Sequence, residues 1–180
     1  MSHRLPLFPL GSVLFPGLVL PLHVFEQRYR DLVGDLLALP EEERRFGVVA
    51  IREGREVGAD GVTALHEVGC AAQLQHVQGS PDGTYNVVTV GVQRFTLDGL
   101  VHDSSYLVGE VTWLPDELGD AAEAALLAPP VRAAFQAYVR ALTAAGAGEV
   151  DEPELPDDPL VLGHLVAATV MLDLDERQAL

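Results

Sequence analysis

The sequence predicts an α+β protein: a closed or nearly closed β-barrel with one early helix, followed by a C-terminal helical bundle. Three observations carry this. Residues 1–115 contain at least six short apolar segments of strand character punctuated by glycine and proline. A single run of helical periodicity interrupts them. Composition shifts at Pro115, and beyond it apolar residues recur at helical spacing. Two domains are therefore expected, 1–115 and 116–180.

Taken in order, Leu5–Leu10 and Val13–Leu22 are apolar runs cut by Gly11, Pro16 and Gly17, and read as strands. Phe25, Tyr29, Leu32, Val33, Leu36 and Leu37 then fall at i, i+4, i+7, i+8, i+11 and i+12, one apolar stripe on a helix. Pro40 ends that helix, and Glu41–Arg45 reads as a solvated loop. Phe46–Ile51 has the continuous apolar character of a buried strand. Strands at Val68–Gln78 and Thr84–Val90 flank Ser80-Pro81-Asp82-Gly83. Its proline and glycine suit a type I turn with a glycine bulge, so the pair is a hairpin. Gly91 marks a bulge or bend before Arg94–Leu97, and Tyr106–Trp113 is the last strand.

Asp120 with Glu123 forms a capping box, and Pro129-Pro130 breaks the helix that it opens. Val131, Ala134, Phe135, Tyr138, Val139 and Leu142 form a second stripe that Gly146 ends. Residues 149–158, with six acids and two prolines, read as an exposed linker. Asp158-Pro159 caps and starts another helix, apolar to Leu172 except for His164 and therefore expected to be buried on several sides. Asp173 with Glu176 resembles a further capping box, so the natural chain is expected to continue past Leu180.

All eleven basic residues are arginine. Without lysine there is no Walker-type phosphate loop, no Ser–Lys dyad and no Schiff-base lysine. The formal charge is −16, and residues 56–180, with four Arg and twenty acids, supply all of it. That field repels phosphate backbones and anionic headgroups, so neither nucleic acid nor membrane is an expected partner. Leu5–Phe25 is uncharged, but Pro6, Pro9, Pro16 and Pro21 would interrupt any spanning helix. The single cysteine, Cys70, fits a reducing cytoplasm and reads as an inert buried thiol.

The histidines at 3, 23, 66, 76, 102 and 164 do not pair at metal-ligand spacing. His66-Glu67 followed by Cys70 only faintly resembles a metal motif, and on a strand it does not converge. The serines at 2, 12, 80, 104 and 105 lie in no nucleophile elbow, and no carboxylate pair stands out as a desolvated acid and base. The sequence thus offers no catalytic residue, no metal site and no cofactor. Glu26, Arg28 and Arg94 stand out instead. They read as a partly buried ion pair tying the first helix to the barrel, with a ligand contact at Arg94 as the alternative.

Leu5-Pro6-Leu7-Phe8-Pro9-Leu10, Val13-Leu14-Phe15-Pro16-Gly17 and Leu20-Pro21-Leu22-His23-Val24-Phe25-Glu26-Gln27-Arg28-Tyr29 resemble the opening of the Lon protease N-terminal domain. Gly69-Cys70-Ala71-Ala72, Asp82-Gly83, Gly91, Arg94-Phe95, Tyr106-Leu107-Val108 and Glu110-Val111 continue the resemblance. It implies a PUA-like barrel, a helical portion and a stand-alone bacterial substrate-recognition module without the ATPase and protease domains of Lon. The expected function is non-catalytic binding of unfolded or partly unfolded polypeptides, with Phe8, Pro9, Phe15 and Pro16 as candidate contacts if they are exposed rather than core. The alternative is an adaptor or scaffold for a folded partner such as a protease or chaperone. RNA binding, by fold analogy alone, ranks third. The sequence leaves the oligomeric state open.

Overall fold

The computed structural model describes residues 3–54, 62–145 and 154–180. Gly146, read as a helix end, lies outside the described residues, as do residues 149–153 of the acidic linker. The chain divides into two compact units, residues 1–116 with 171–180, and residues 117–170. The last ten residues thus group with the strands, whereas the sequence places them with the helices.

The first unit contains β1 (His3–Leu10), β2 (Val19–Val24), α1 (Gln27–Leu37), β3 (Arg45–Gly54), β4 (Val62–Gly79), β5 (Tyr85–Val101), β6 (Val108–Leu114) and the short α4 (Leu174–Gln178). The strand order is β2-β5-β4-β3-β1-β6, and β5 also pairs with β6. The ladders β1–β3, β3–β4, β4–β5, β5–β6 and β6–β1 therefore form a circuit, with β2 attached outside it. β1 and β3 are parallel, while the other ladders are antiparallel. A parallel pair needs a long crossover, and β2 with α1 supplies it.

Within the first twenty-five residues Gly17, at φ 82°, turns the chain where the sequence cuts the Val13–Leu22 run, and of that run the part from Val19 pairs as β2 (Val19–Val24). Phe25 is not part of the helical stripe. The helix starts at Gln27 and buries Tyr29, Leu32, Val33 and Leu36, while Phe25 precedes it and is 51% exposed. Conversely, Thr84–Val90 and Arg94–Leu97 belong to one strand, β5. Ala72 faces Gly91 and Ala71 faces Gln93, so Val92 is the extra residue of a bulge. Across that bulge β5 exchanges β2 for β6 as its second neighbour. Gly91 has no room for a side chain, since a Cβ there would lie 2.3 Å from the Phe15 carbonyl oxygen.

The strand unit has two apolar clusters. Phe8 and Leu10 of β1 and Val48 of β3 face the one that α1 covers; Leu5, Leu7 and Val49 face the other, around Phe95 and Val111. Burial on both faces is why β1 and β3 read as unbroken apolar runs.

The second unit contains α2 (Ala121–Ala144) and α3 (Pro159–Thr169), which pack on each other. Asp120 caps α2 by accepting from the amides of Ala122 and Glu123 at 2.8 and 3.1 Å. Pro129 and Pro130 lie inside α2 and do not break it. The carbonyls that lose donors belong to Ala125 and Leu126, both exposed, so water can satisfy them. Asp158 caps α3 as the sequence indicates. Leu162 is its one fully buried residue, Val161 and Gly163 are exposed, and the others are half-buried, so burial is spread round the helix but shallow. Among the described residues the unit has two helices. Arg132 fixes the approach to α3 by donating to the Leu155 and Pro156 carbonyls.

Candidate functional site

The most distinctive surface of the strand unit forms where β2 runs into α1. His23, Phe25 and Glu26 leave the strand beside Phe8, Pro9 and Tyr29, enclosing a half-open, mainly apolar cavity of about 160 Å³. Its floor is an aromatic stack. The Phe8 and Tyr29 rings lie 4.0 Å apart and nearly parallel, with Phe46 5.8 Å from Phe8. Stacking of this kind contributes about 0.5–1.5 kcal/mol beyond area burial. The Arg28 guanidinium lies over Tyr29, 4.5 Å from the ring centre, and pairs with Glu26 at 3.2 Å. At the rim the exposed Phe25 lies beside the His23 ring, 6.0 Å between centroids. An apolar floor, a charge-neutral edge and one solvent-exposed aromatic suit an apolar side chain better than a charged ligand.

The expected apolar contacts Phe8, Pro9, Phe15 and Pro16 are all buried. They pack the core, because β1 carries apolar residues on both faces and the Val13–Gly17 turn folds inward. Phe8 and Pro9 still reach the cavity from beneath. The exposed aromatic is Phe25, which the helical period assigned to the core. No sequence signal marks it, because Glu26 is not a preferred capping residue, yet its extended backbone leaves Phe25 before the first turn of α1.

The expected pairing of α1 with Arg94 also needs correction. Glu26 and Arg28 pair with each other, whereas Arg94 bonds Asp116 through Nε at 2.9 Å and Nη2 at 2.8 Å. Register explains this. Val24 at the end of β2 faces Tyr85, nine residues (94 − 85) before Arg94, or about 30 Å of strand. Arg94 instead faces Leu114 of β6, two residues before Asp116. The two strands follow one another in the chain, but their order alone does not set the register that brings Asp116 to Arg94.

Cys70 is buried opposite Arg94, and burial pushes its thiol up to about 12. A thiol so far from ionisation is no nucleophile. Tyr106, to which no role was assigned from the sequence, donates to Asp35 at 2.7 Å and ties the β5–β6 connection to α1; burial and that carboxylate raise its phenol to about 12. His66 lies 3.6 Å from Asp175, and Gln178 donates to the Val68 carbonyl at 3.0 Å, which holds α4 against β4. Among the described residues no three His, Cys, Asp or Glu side chains converge as a metal site, and no helix is long and apolar enough to cross a membrane.

The model of the ATP-dependent protease La (LON) substrate-binding domain matches residues 4–180. A Lon protease of Anaeromyxobacter dehalogenans is 30% identical over 176 residues, covering 97% of this chain and 20% of that protein. The Lon protease of Escherichia coli K12 is 25% identical over 177 residues, covering 98% and 22%. The chain spans about one fifth of the length of these relatives. The solved Lon N-terminal domain protein from Xanthomonas campestris is similar at a TM-score of 0.68 and 28% identity, covering 98% of this chain and 88% of that one. The N-terminal domain of Mycobacterium avium complex Lon protease shares the fold at a TM-score of 0.66 and 18% identity, with the same coverages.

Proposed function

On the premise that this chain belongs to the LON substrate-binding domain family, we propose that it holds polypeptides and carries out no chemistry on them. The observation that carries this reading is the apolar cavity at the β2–α1 junction, with its aromatic floor and the exposed Phe25 at its rim. A groove of that character suits the apolar segments that an unfolded chain displays and a folded one hides. Phe8 and Pro9 supply the floor, while Phe15 and Pro16 serve packing. Arg94 serves structure, through Asp116. The strand circuit is read as the PUA-like barrel and recognition head, taken as residues 1–115 with the last ten residues packed on it, the rest of 116–180 as the helical portion, and the cytoplasm as the place of action.

The test is association with a reduced, carbamidomethylated model protein, compared with the same protein folded. Binding of the unfolded form alone, weakened about tenfold by Phe25→Ser, is the expected result, since burying one aromatic side chain is worth about 1.5–3 kcal/mol. No association at high micromolar concentration would refute the reading. A second reading, an adaptor for a folded partner, is favoured by the second unit, where α2 exposes Leu126 (77%) and Leu127. One stoichiometric folded partner in a pull-down would support it instead. RNA binding ranks below both, because the −16 charge opposes it.

A further inference from the structure

We propose that the free edge of β2 accepts an extended polypeptide segment as an additional strand, with one of that segment's apolar side chains seated in the Phe25 cavity. This rests on the polypeptide-binding reading and specifies how the segment is held.

Among the described residues β2 stands at the end of the strand order, with β5 as its strand partner. Three observations give the phase of its backbone. The Leu18 carbonyl, one residue before the strand, accepts from the Gly91 amide at 2.9 Å. The Leu20 carbonyl accepts from the Thr89 hydroxyl at 3.0 Å. Pro21 has no N–H to offer β5, which suits a position whose donor would point away from the partner. Since successive residues face opposite edges, Val19, Pro21 and His23 direct their backbone outward. The outward row has the amides of Val19 and His23 and the carbonyls of all three.

Sheet edges are ordinarily blunted by charged side chains, bulges, proline or a covering element. β2 reads Val-Leu-Pro-Leu-His-Val, without a formal charge, and Pro21 removes a single donor. Val19 is 63% exposed, so among the described residues the start of the edge lies open. At its other end Leu22, Val24 and Phe25 line the cavity. A cavity of about 160 Å³ is well below the ~300 Å³ of small-molecule sites, and fits one apolar side chain.

The occupant follows from this geometry. Only an extended backbone matches donors and acceptors at strand spacing, which excludes a helix or a compact ligand. A second copy of β2 would satisfy the same groups, but it would join two chains of −16 each. An apolar segment flanked by basic residues meets attraction instead. The structure therefore points to apolar, base-flanked segments in extended conformation.

The test uses the full chain and a peptide of alternating valine and leucine with two arginines at each end, followed by fluorescence anisotropy and amide hydrogen exchange. Binding should slow exchange at the Val19 and His23 amides. The double variant V19P/H23P removes both outward donors and spares those facing β5; its side-chain losses are the exposed His23–Asn86 bond and the His23–Phe25 ring contact. V19T/H23T loses the same His23 side-chain contacts but keeps both donors, so it is the reference against which V19P/H23P is read. The affinity of V19P/H23P should be about tenfold or more below that of V19T/H23T, and N-methylation of alternate peptide residues should weaken binding to the wild type by a similar factor. Equal affinity of a natively folded V19P/H23P and V19T/H23T, or exchange protection elsewhere without protection at Val19 and His23, would overturn the proposal. If V19P/H23P fails to fold, exchange in the wild type decides. Dimers of the chain that V19P/H23P abolishes would assign the edge to a second copy. Binding of an unfolded protein without binding of this peptide overturns the edge site alone; binding of neither overturns the underlying reading too.

Discussion

Cys70 is the residue whose environment makes the sharpest demand. Burial favours its neutral thiol, raising its pKa from about 9 to about 12. A group whose folded pKa is raised contributes its full share of stability below the unfolded value. That share is lost as pH climbs from about 9 towards 12, because the unfolded chain releases the proton first. The loss approaches about 1.4 kcal/mol per pH unit at most. Tyr106 works in the same direction at higher pH. The urea midpoint of the wild type should therefore fall between pH 8.5 and about 10.5, and Cys70→Ala should flatten the first part of that fall. Parallel profiles for the two proteins would show that the thiol is not buried as described. The inertness of this thiol was legible, since a lone cysteine in an apolar strand seldom ionises. Arg94 was legible as a residue that needs an anion, but its partner was not. Charge pairing across a sheet depends on register, and nothing near Arg94 in the chain reports that Leu114 lies opposite.

Elements were legible where local chemistry decides them and obscure where water or packing does. The Asp82-Gly83 turn, the Asp120 and Asp158 caps and the Asp173–Glu176 box follow from hydrogen bonds between neighbours in sequence, and they stand where the residues put them. Pro129-Pro130 was misread because the rule against interior proline assumes that the orphaned carbonyls have no other partner. In α2 they face solvent, so the helix tolerates the defect without being relieved of it. Replacing both prolines by alanine should restore two donors and stabilise α2, which retains its path. An interior proline is less favourable than alanine by about 3 kcal/mol, and solvation offsets part of this, so a gain of about 1–3 kcal/mol is expected. Circular dichroism at 222 nm through a thermal melt measures it. No gain, or a loss of helicity, would show that the prolines set the course of α2. Phe25 illustrates the opposite failure. It obeys the helical period, but the cap at Glu26 overrides it and leaves the ring at the cavity rim.

At the scale of the whole molecule the charge of −16 acts on folding and on binding with opposite signs under salt. Twenty acids against four arginines over residues 56–180 repel one another in any compact state. Added salt screens that repulsion over a Debye length that shrinks from about 14 Å at 50 mM to about 4 Å at 500 mM. The urea midpoint should therefore rise across that range, by the equivalent of a few tenths to about 1 kcal/mol. Binding of a basic-flanked apolar segment should respond oppositely. Its association rate loses the long-range attraction and falls by about tenfold, while its dissociation rate, set by the cavity and the strand edge, changes little. Stopped-flow association and urea titration on the same preparations give both signs. Their divergence isolates what the surface charge does for recognition from what it does to the fold. If salt accelerates association, the acidic surface opposes capture rather than assisting it, and the basic flanks assigned to the bound segment are wrong.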